Sequence, residues 1–242
     1  MIKTNLKEVE NILISLGLEA GDQVLVHADL RVFGRLEGNG AGLIALLEEL
    51  VGPQGLVCTP SFTFSFPQNF DVKYTKSNIG ALTTLFANFK SVVRVPDGMT
   101  SYYMVGEKCH ELIEKWDHSS YGAGSIIGQL LSNRGKILQL GTDILSPIHY
   151  VEELVGVPYR AIKRFEGLII DEHDSYPSHT NFYARTMEIK KIIPDPIRSA
   201  FYLRHPQKIH FNNRELRLFS IEEFVSFATP RLTENNLILI ED

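Results

Sequence analysis

The chain has little cysteine, a single tryptophan and no long apolar run. Of its 242 residues only Cys58 and Cys109 are cysteines. Two thiols without CxxC spacing cannot build a metal cage, and their structured, apolar neighbourhoods predict buried thiols rather than a disulfide. No uninterrupted apolar segment approaches the roughly 20 residues of a membrane-spanning helix, so no membrane partner is expected. Met1 to Asn5 lacks the apolar stretch of a signal peptide, from which a cytoplasmic location is expected. Basic excess is also missing: 24 Lys and Arg stand against 29 Asp and Glu, a formal charge of −5. Nothing there would hold a phosphate backbone, so nucleic acid is excluded as a partner.

Several motifs are absent too. No Gly-x-Ser-x-Gly elbow is present, which argues against a serine hydrolase of the α/β type. The glycine cluster Gly38-Asn39-Gly40-Ala41-Gly42 runs into Leu43, so it is neither a dinucleotide fingerprint nor a Walker A loop. No HExxH occurs. Asp171-Glu172-His173-Asp174 follows the apolar Leu168-Ile169-Ile170 and reads as a solvated turn, and no metal is expected.

What is present is an ordinary globular composition, 44% hydrophobic and 22% charged, enough for one sizeable core in a single domain over residues 1–242. Leu6, Val9, Ile12, Leu13 and Leu16 form a helical stripe closed by Gly17. Residues 23–27 read as a buried strand and 34–42 as a flexible glycine loop. Leu43 to Leu50 predict a helix, stopped by Gly52-Pro53, before a strand at 56–59. Strand, loop, helix and strand make a βαβ crossover with parallel pairing. Residues 60–80 read as a long aromatic loop, which in a compact domain usually carries function. A helix is predicted from Gly80, strands at 92–95 and 101–106, a helix over 108–116 and a buried strand over 136–141. Residues 157–170 and 180–193 alternate as antiparallel strands do, and the tail carries a helix near Ile221 to Phe227. The fold class is therefore α/β: a mixed, mainly parallel central sheet flanked by helices, with antiparallel strands in the C-terminal third.

The most informative stretch is Ser146-Pro147-Ile148-His149-Tyr150-Val151-Glu152. On a helix, His149 and Glu152 share one face within contact range, with Ser146 as N-cap and Pro147 at the first position. That spacing offers a base with an orienting acid, although such pairs often only solvate a helix.

Several segments in order resemble the aminoglycoside 3-N-acetyltransferase family. They are Gly21-Asp22-x-Val24-x-Val26-His27-Ala28-Asp29-Leu30-Arg31-x-Phe33-Gly34, Gly52-Pro53-x-Gly55-x-Val57-x-Thr59-Pro60-Ser61-Phe62-Thr63, Phe70-Asp71-x-x-Tyr74-Thr75-x-Ser77-x-x-Gly80 and Ser101 to Gly106. Lys136 to Gly141, Ser146-x-x-His149-x-x-Glu152 and Val157-Pro158-Tyr159-Arg160 complete the set. The resemblance implies acetyl transfer from acetyl-CoA to an amine, with His149 and Glu152 catalytic. It implies that the thioester lies against His27, Ala28, Asp29, Leu30, Arg31, Phe33 and Gly34, and against Thr75 and Ser77. The family's aminoglycoside-modifying members usually carry His-Pro-x-His-Ser before the strand that starts here at Ser101. This chain has Asp97-Gly98-Met99-Thr100-Ser101, which resembles instead the amino-sugar N-acetyltransferases of surface-polysaccharide (O-antigen) assembly. Asp97 is equally readable as an Asp-Gly turn.

A sugar amine is mostly protonated at pH 7 and must lose a proton before or as it attacks a thioester, and His149 is the base expected to take it.

 The acceptor is expected to be an amino sugar, nucleotide-linked, contacted by Phe62, Asp71, Asp97, Tyr183 and Arg185, with Arg160, Lys163 and Arg185 available to a diphosphate. The oxyanion formed on attack would meet backbone N–H groups of the loop after His27. No Cys or Ser stands in an activating context, so transfer is expected to be direct. The alternatives are aminoglycoside resistance, a non-catalytic relative that keeps a ligand pocket, and metal-dependent hydrolysis through His149, Glu152 and Asp171. A homo-oligomer is compatible with the sequence.

Overall fold

The computed structural model describes residues 3–77, 79–172, 174–186, 191–192 and 196–241. Its centre is a seven-stranded sheet in the order Ile209–Phe211, Arg214–Ser220, Lys136–Leu140, Gln23–Ala28, Leu56–Pro60, Tyr102–Val105 and Val93–Arg94. The three middle strands are parallel, and the strands on either side attach antiparallel. Five of the seven therefore point the same way, as the mixed, mainly parallel expectation requires. Among the described residues no helix is long and apolar enough to cross a membrane.

Alternation along the central strands sends side chains to two cores, one on each face. Leu25, Cys58, Met104 and Ile137 face a layer that includes helices Ile126–Ser132, Ile148–Val155 and Ile221–Glu234. Val24, Val26, Val57 and Leu138 face helices Leu6–Leu16, Asn39–Val51 and Ala81–Ala87. Both cysteines are free and buried. Burial raises both thiols, that of Cys109 to about 12, and the nearby Cys109 adds to the rise at Cys58.

The glycine loop expected over 34–42 is mostly something else. A 3-10 turn occupies Leu30–Phe33, and the next helix already begins at Asn39. Gly40 lies within that helix, and a Cβ there would sit 1.8 Å from Leu85 Cδ1 of the neighbouring helix. The glycine marks close helix packing, not flexibility. The helices Ile126–Ser132 and Pro196–Arg204 had no counterpart in the sequence reading.

The alternating C-terminal segments form a hairpin, Arg160–Ile170 against Ser175–Arg185, paired through eleven positions from Arg160↔Arg185 to Ile170↔Ser175. The predicted continuation of the second strand through 187–190 and 193 lies outside the described residues, as does His173. This hairpin is separate from the central sheet and takes up Phe70–Asp71 of the long loop as a parallel third strand.

Two devices fix that loop. Arg94, buried at the sheet edge, donates to the carbonyls of Ser61, Val72 and Thr75 while its guanidinium lies between the rings of Phe70 and Tyr103. Phe66 is held between two glycines: a Cβ at Gly98 or at Gly167 would each approach its ring to 2.3 Å. The ring thus joins the loop, the 97–100 turn and the hairpin. Gly167→Ala is expected to displace it and to cost about 1–3 kcal/mol, the usual penalty of overpacking. Urea unfolding measures the loss, and limited proteolysis should open the 60–77 segment first.

Candidate active site

A cavity of about 710 Å³ opens at the carboxyl ends of the three parallel strands. Its wall takes in Val26, His27 and Ala28 from one strand, Thr59 and Pro60 from the next, and Ile144 to Ser146 from the segment after the third. Strand Gln23–Ala28 has its next sequence neighbour on one side and a strand from much later in the chain on the other. Crevices at such a reversal of strand order are where open α/β sheets bind ligands.

Helix Ile148–Val155 delivers His149 to this cavity. The spacing argument holds: His149 Nδ1 lies 2.6 Å from Glu152 Oε2. A carboxylate at that distance selects the tautomer with the proton on Nδ1, which leaves Nε2 as the acceptor. Arg160 Nη2 also approaches Nδ1, at 3.4 Å. If Nδ1 accepted from Arg160 instead, its lone pair would face the carboxylate oxygen, so the Nδ1–H form is the one the geometry favours. Tyr121 covers one side of the imidazole, with ring centroids 4.9 Å apart.

Glu152 is 1% exposed and every contact around it opposes its burial. Tyr159 Oη donates to Oε1 at 2.8 Å. Arg160 Nε lies 3.0 Å from Oε2, an ion-pair contact off the hydrogen-bond axis, while its Nη1 donates to the Tyr183 carbonyl. Burial alone would push this carboxyl up; the His149 hydrogen bond, the His149 and Arg160 charges and the Tyr159 hydroxyl outweigh it, and the group lies below its ordinary value. Glu152 is therefore ionised at neutral pH, neutralised by Arg160, and holds the imidazole from behind.

Glu153, the next residue, is tuned in the opposite direction. Burial and the nearby Asp117 carboxylate raise it to about 7. Its Oε2 has no hydrogen-bond partner among the described residues.

Ser146 was expected to cap this helix. It does not: the N-cap position falls on Pro147 and carries no side-chain cap bond. The Ser146 hydroxyl instead lies 2.9 Å from His27 Nε2 in the cavity wall. A helix cap typically contributes about 1 kcal/mol, which this helix forgoes. Burial holds the His27 imidazolium down to about 4, so the ring is neutral at physiological pH.

The structure brings His27, Ala28, Phe62, His149 and Arg185 together around the cavity, with Glu152 directly behind. It places the other expected residues elsewhere. Asp29 is clasped by Arg31 and Arg214, and the Arg31 hydrogen bond lowers its carboxyl to about 2. Leu30, Phe33 and Gly34 line a separate hollow against Gly40 and Leu85. Thr75 accepts from the Asp71 amide, and Ser77 donates to the Phe62 carbonyl, so both act on the loop. Asp71 caps the turn at Lys73 and Tyr74. Tyr183 is buried and donates to the carbonyls of Glu152 or Val157.

Asp97 is 1% exposed. It accepts from the Met99 amide and from the hydroxyls of Thr100 and Thr180, which is the turn reading, extended by a clasp on the hairpin. Burial raises its carboxyl despite those bonds. Arg160 is engaged by Glu152 and is not available to a diphosphate. Four of the amides expected to form an oxyanion site after His27 are also engaged: Asp29 N donates to Leu140, Arg31 N to the Asp29 side chain, Val32 N to Asp29 and Gly34 N to Arg31. Thr59, Ile79, Leu82, Thr83 and Arg198 line the cavity without having been singled out. A strand, a loop, helix Ala81–Ala87 and helix Pro196–Arg204 supply them, and no single spacing links them. Among the described residues no group of three His, Cys, Asp or Glu could hold a metal ion.

The model of the aminoglycoside 3-N-acetyltransferase family matches residues 25–233, and the chain belongs to that family. A curated relative, aminoglycoside N(3)-acetyltransferase III of Salmonella sp, is 24% identical over 183 residues, covering 66% of this chain and 64% of its own. The chain thus spans just under two thirds of that relative's length. Among solved structures, AAC-IIIb in binary complex with CoASH superposes with a TM-score of 0.79 at 21% identity, over 94% of this chain and 96% of the other. AAC-VIa bound to sisomicin gives a TM-score of 0.80 at 21% identity, over 96% and 98%. These likenesses establish the shared fold. They do not support the expected closeness to amino-sugar enzymes of polysaccharide assembly; the relatives found are aminoglycoside acetyltransferases.

The two neighbouring glutamates give opposite predictions. Glu152→Gln leaves Arg160 buried without a countercharge and should cost about 3–5 kcal/mol near neutral pH. Because the folded-state value of Glu152 is depressed, its stabilisation exists above the ordinary carboxylate range and is lost as pH falls through the lower value. The deficit of the variant should therefore shrink on acidification, as urea titrations across pH would record. Glu153 is raised, so its native form is penalised as pH climbs through about 7. Glu153→Gln should match wild type near pH 4, below the ordinary carboxyl value, and exceed it near pH 8, by about 1 kcal/mol once solvent screening is allowed for.

Proposed function

We propose that the protein is an acetyl-CoA-dependent N-acetyltransferase acting on a primary amine of a sugar-like acceptor. The observation that carries this reading is His149, oriented at Nδ1 by a buried, ionised Glu152, with Nε2 free to face the cavity. Family membership and the CoASH-bound neighbour support the choice of donor. The cavity suits it in kind: Val26, Leu82, Ile144, Leu145 and Ile148 offer an apolar wall to a pantetheine arm, and Arg185 and Arg198 offer cations to its phosphates.

An amine that is mostly ammonium at pH 7 must shed a proton to attack a thioester. That proton leaves to solvent; as the neutral nitrogen then bonds to the acyl carbon, His149 Nε2 takes a second proton from it, and Glu152 stabilises the resulting imidazolium through Nδ1–H. When the C–S bond breaks, His149 returns the proton to the departing sulfur. Phe62 and Tyr121 present aromatic faces near the reaction centre. Acetyl-CoA supplies the activated acyl group.

For the acceptor, the relatives favour an aminoglycoside. A second reading, an amino sugar with no further ammonium groups, has its own support. Among the described residues the cavity wall contains two histidines and two arginines but no aspartate or glutamate, a poor complement to a polycation.

His149→Ala should lower turnover by about 10²–10⁴-fold, the usual contribution of a general base, while calorimetry finds CoA affinity unchanged. Thiol release would be followed with gentamicin-type aminoglycosides, simple amino sugars and nucleotide-linked amino sugars as acceptors. Near-wild-type turnover in the variant would remove His149 from the mechanism. Wild-type protein that binds no CoA would remove the acyl-transfer reading and leave a non-catalytic relative.

A further inference from the structure

We propose that the Ser146 hydroxyl donates the hydrogen bond that stabilises the thioester oxyanion, held in position by His27. This assignment rests on the acyl-transfer reading above and adds a residue that it does not contain.

Attack by an amine on a thioester turns the carbonyl oxygen into an oxyanion, and a site that performs the reaction needs a donor aimed at it. Backbone amides are the usual source, yet four in the turn after His27 and two at the start of the His149 helix are engaged. Asp29, Arg31, Val32 and Gly34 bond within their own turn or to Leu140. At the start of the His149 helix, the Ile148 and His149 amides bond back to the Leu145 and Ser146 carbonyls, and Pro147 has none to offer. Ser146 is the hydroxyl that remains on this side of the cavity, three residues before the base and in the same wall. It is not used as a helix cap, where its sequence position would put it.

The 2.9 Å contact with His27 can run either way according to the ring's tautomer, and we assign the Nε2–H form. A serine beside a histidine can be a nucleophile, provided the imidazole takes its proton. His27 lies in a desolvated setting that disfavours the imidazolium, so it is a poor proton acceptor. With Nε2–H donating to Ser146 Oγ, the serine O–H is left to turn into the cavity. The ring then fixes the oxygen, and the hydroxyl proton meets the developing charge without being transferred. Bond changes balance as before: nitrogen bonds to the acyl carbon, the C–S bond breaks, and the proton passes through His149 alone. Thr59, whose Oγ1 already donates to the Val26 carbonyl, is not free for the same task.

The test uses the full chain with isotope-labelled acetyl-CoA. Ser146→Ala should lower kcat by about 10²–10³-fold, the loss typical of one oxyanion donor, with calorimetric affinity for CoA unchanged and the pH profile retaining the limb set by the base. Ser146→Thr, which restores a hydroxyl, should recover most of the rate. His27→Gln keeps a donor and should lie between; combined with Ser146→Ala it should add no further loss, because the ring acts through the hydroxyl. Infrared difference spectra of ¹³C-carbonyl acetyl-CoA give a readout apart from turnover: the bound carbonyl stretch should move to lower frequency in wild type and not in Ser146→Ala. A variant within threefold of wild type with an unchanged carbonyl stretch would overturn the assignment. So would an acetyl group found on Ser146 by intact mass, which would make it the nucleophile. Wild-type protein that fails to bind acetyl-CoA at all would instead remove the acyl-transfer reading, and this assignment with it.

Discussion

The site depends on one buried carboxylate. Glu152 sits where the helix that follows the central strand meets the first residues of the hairpin, and three side chains converge on it. His149 comes from its own helix, Tyr159 from the turn after that helix, and Arg160 from the first hairpin strand. A charge this deep is tolerable only with a partner of opposite sign and with its lone pairs satisfied. Arg160 supplies the first condition, and Tyr159 and His149 the second. The consequence is coupling. The carboxylate cannot keep the imidazole in its reactive tautomer unless the hairpin is docked, and the hairpin's first arginine cannot be buried unless the carboxylate is charged.

The contrast between Glu152 and Glu153 shows how little of this is a matter of residue type. Both are glutamates on one short helix, adjacent in sequence. One faces Arg160 and lies below its ordinary pKa, while the other faces Asp117 and lies well above it. Position on the helix face decides which pairs with the imidazole and which is an electrostatic liability.

Much of this arrangement was legible beforehand, for reasons that can be named. The His149–Glu152 contact follows from helical spacing alone. The parallel strands and their crossover follow from apolar runs punctuated by glycine and proline. What sequence could not supply was destination. Ser146-Pro147 has the grammar of a helix start, yet a hydrogen-bond partner 119 residues away claims the hydroxyl. Gly40 and Gly42 look like loop residues until the neighbouring helix is seen to need the space. Asp97 differs from the histidine familiar in aminoglycoside-modifying members and so suggested a substrate contact. Its carboxyl is instead taken by Thr180 of the hairpin, through a bond that no spacing rule connects.

The Phe66 ring, held between Gly98 and Gly167, has a consequence for how acceptor range could diverge among relatives. It lies outside the cavity wall, but the loop it anchors carries Phe62, which lies within it. Three chain segments distant in sequence thus share one pivot, and a methyl group added at either glycine would be transmitted to the mouth of the cavity through a rigid aromatic plate. Changes remote from the cavity can thus reshape its mouth and leave the His149–Glu152 pair untouched.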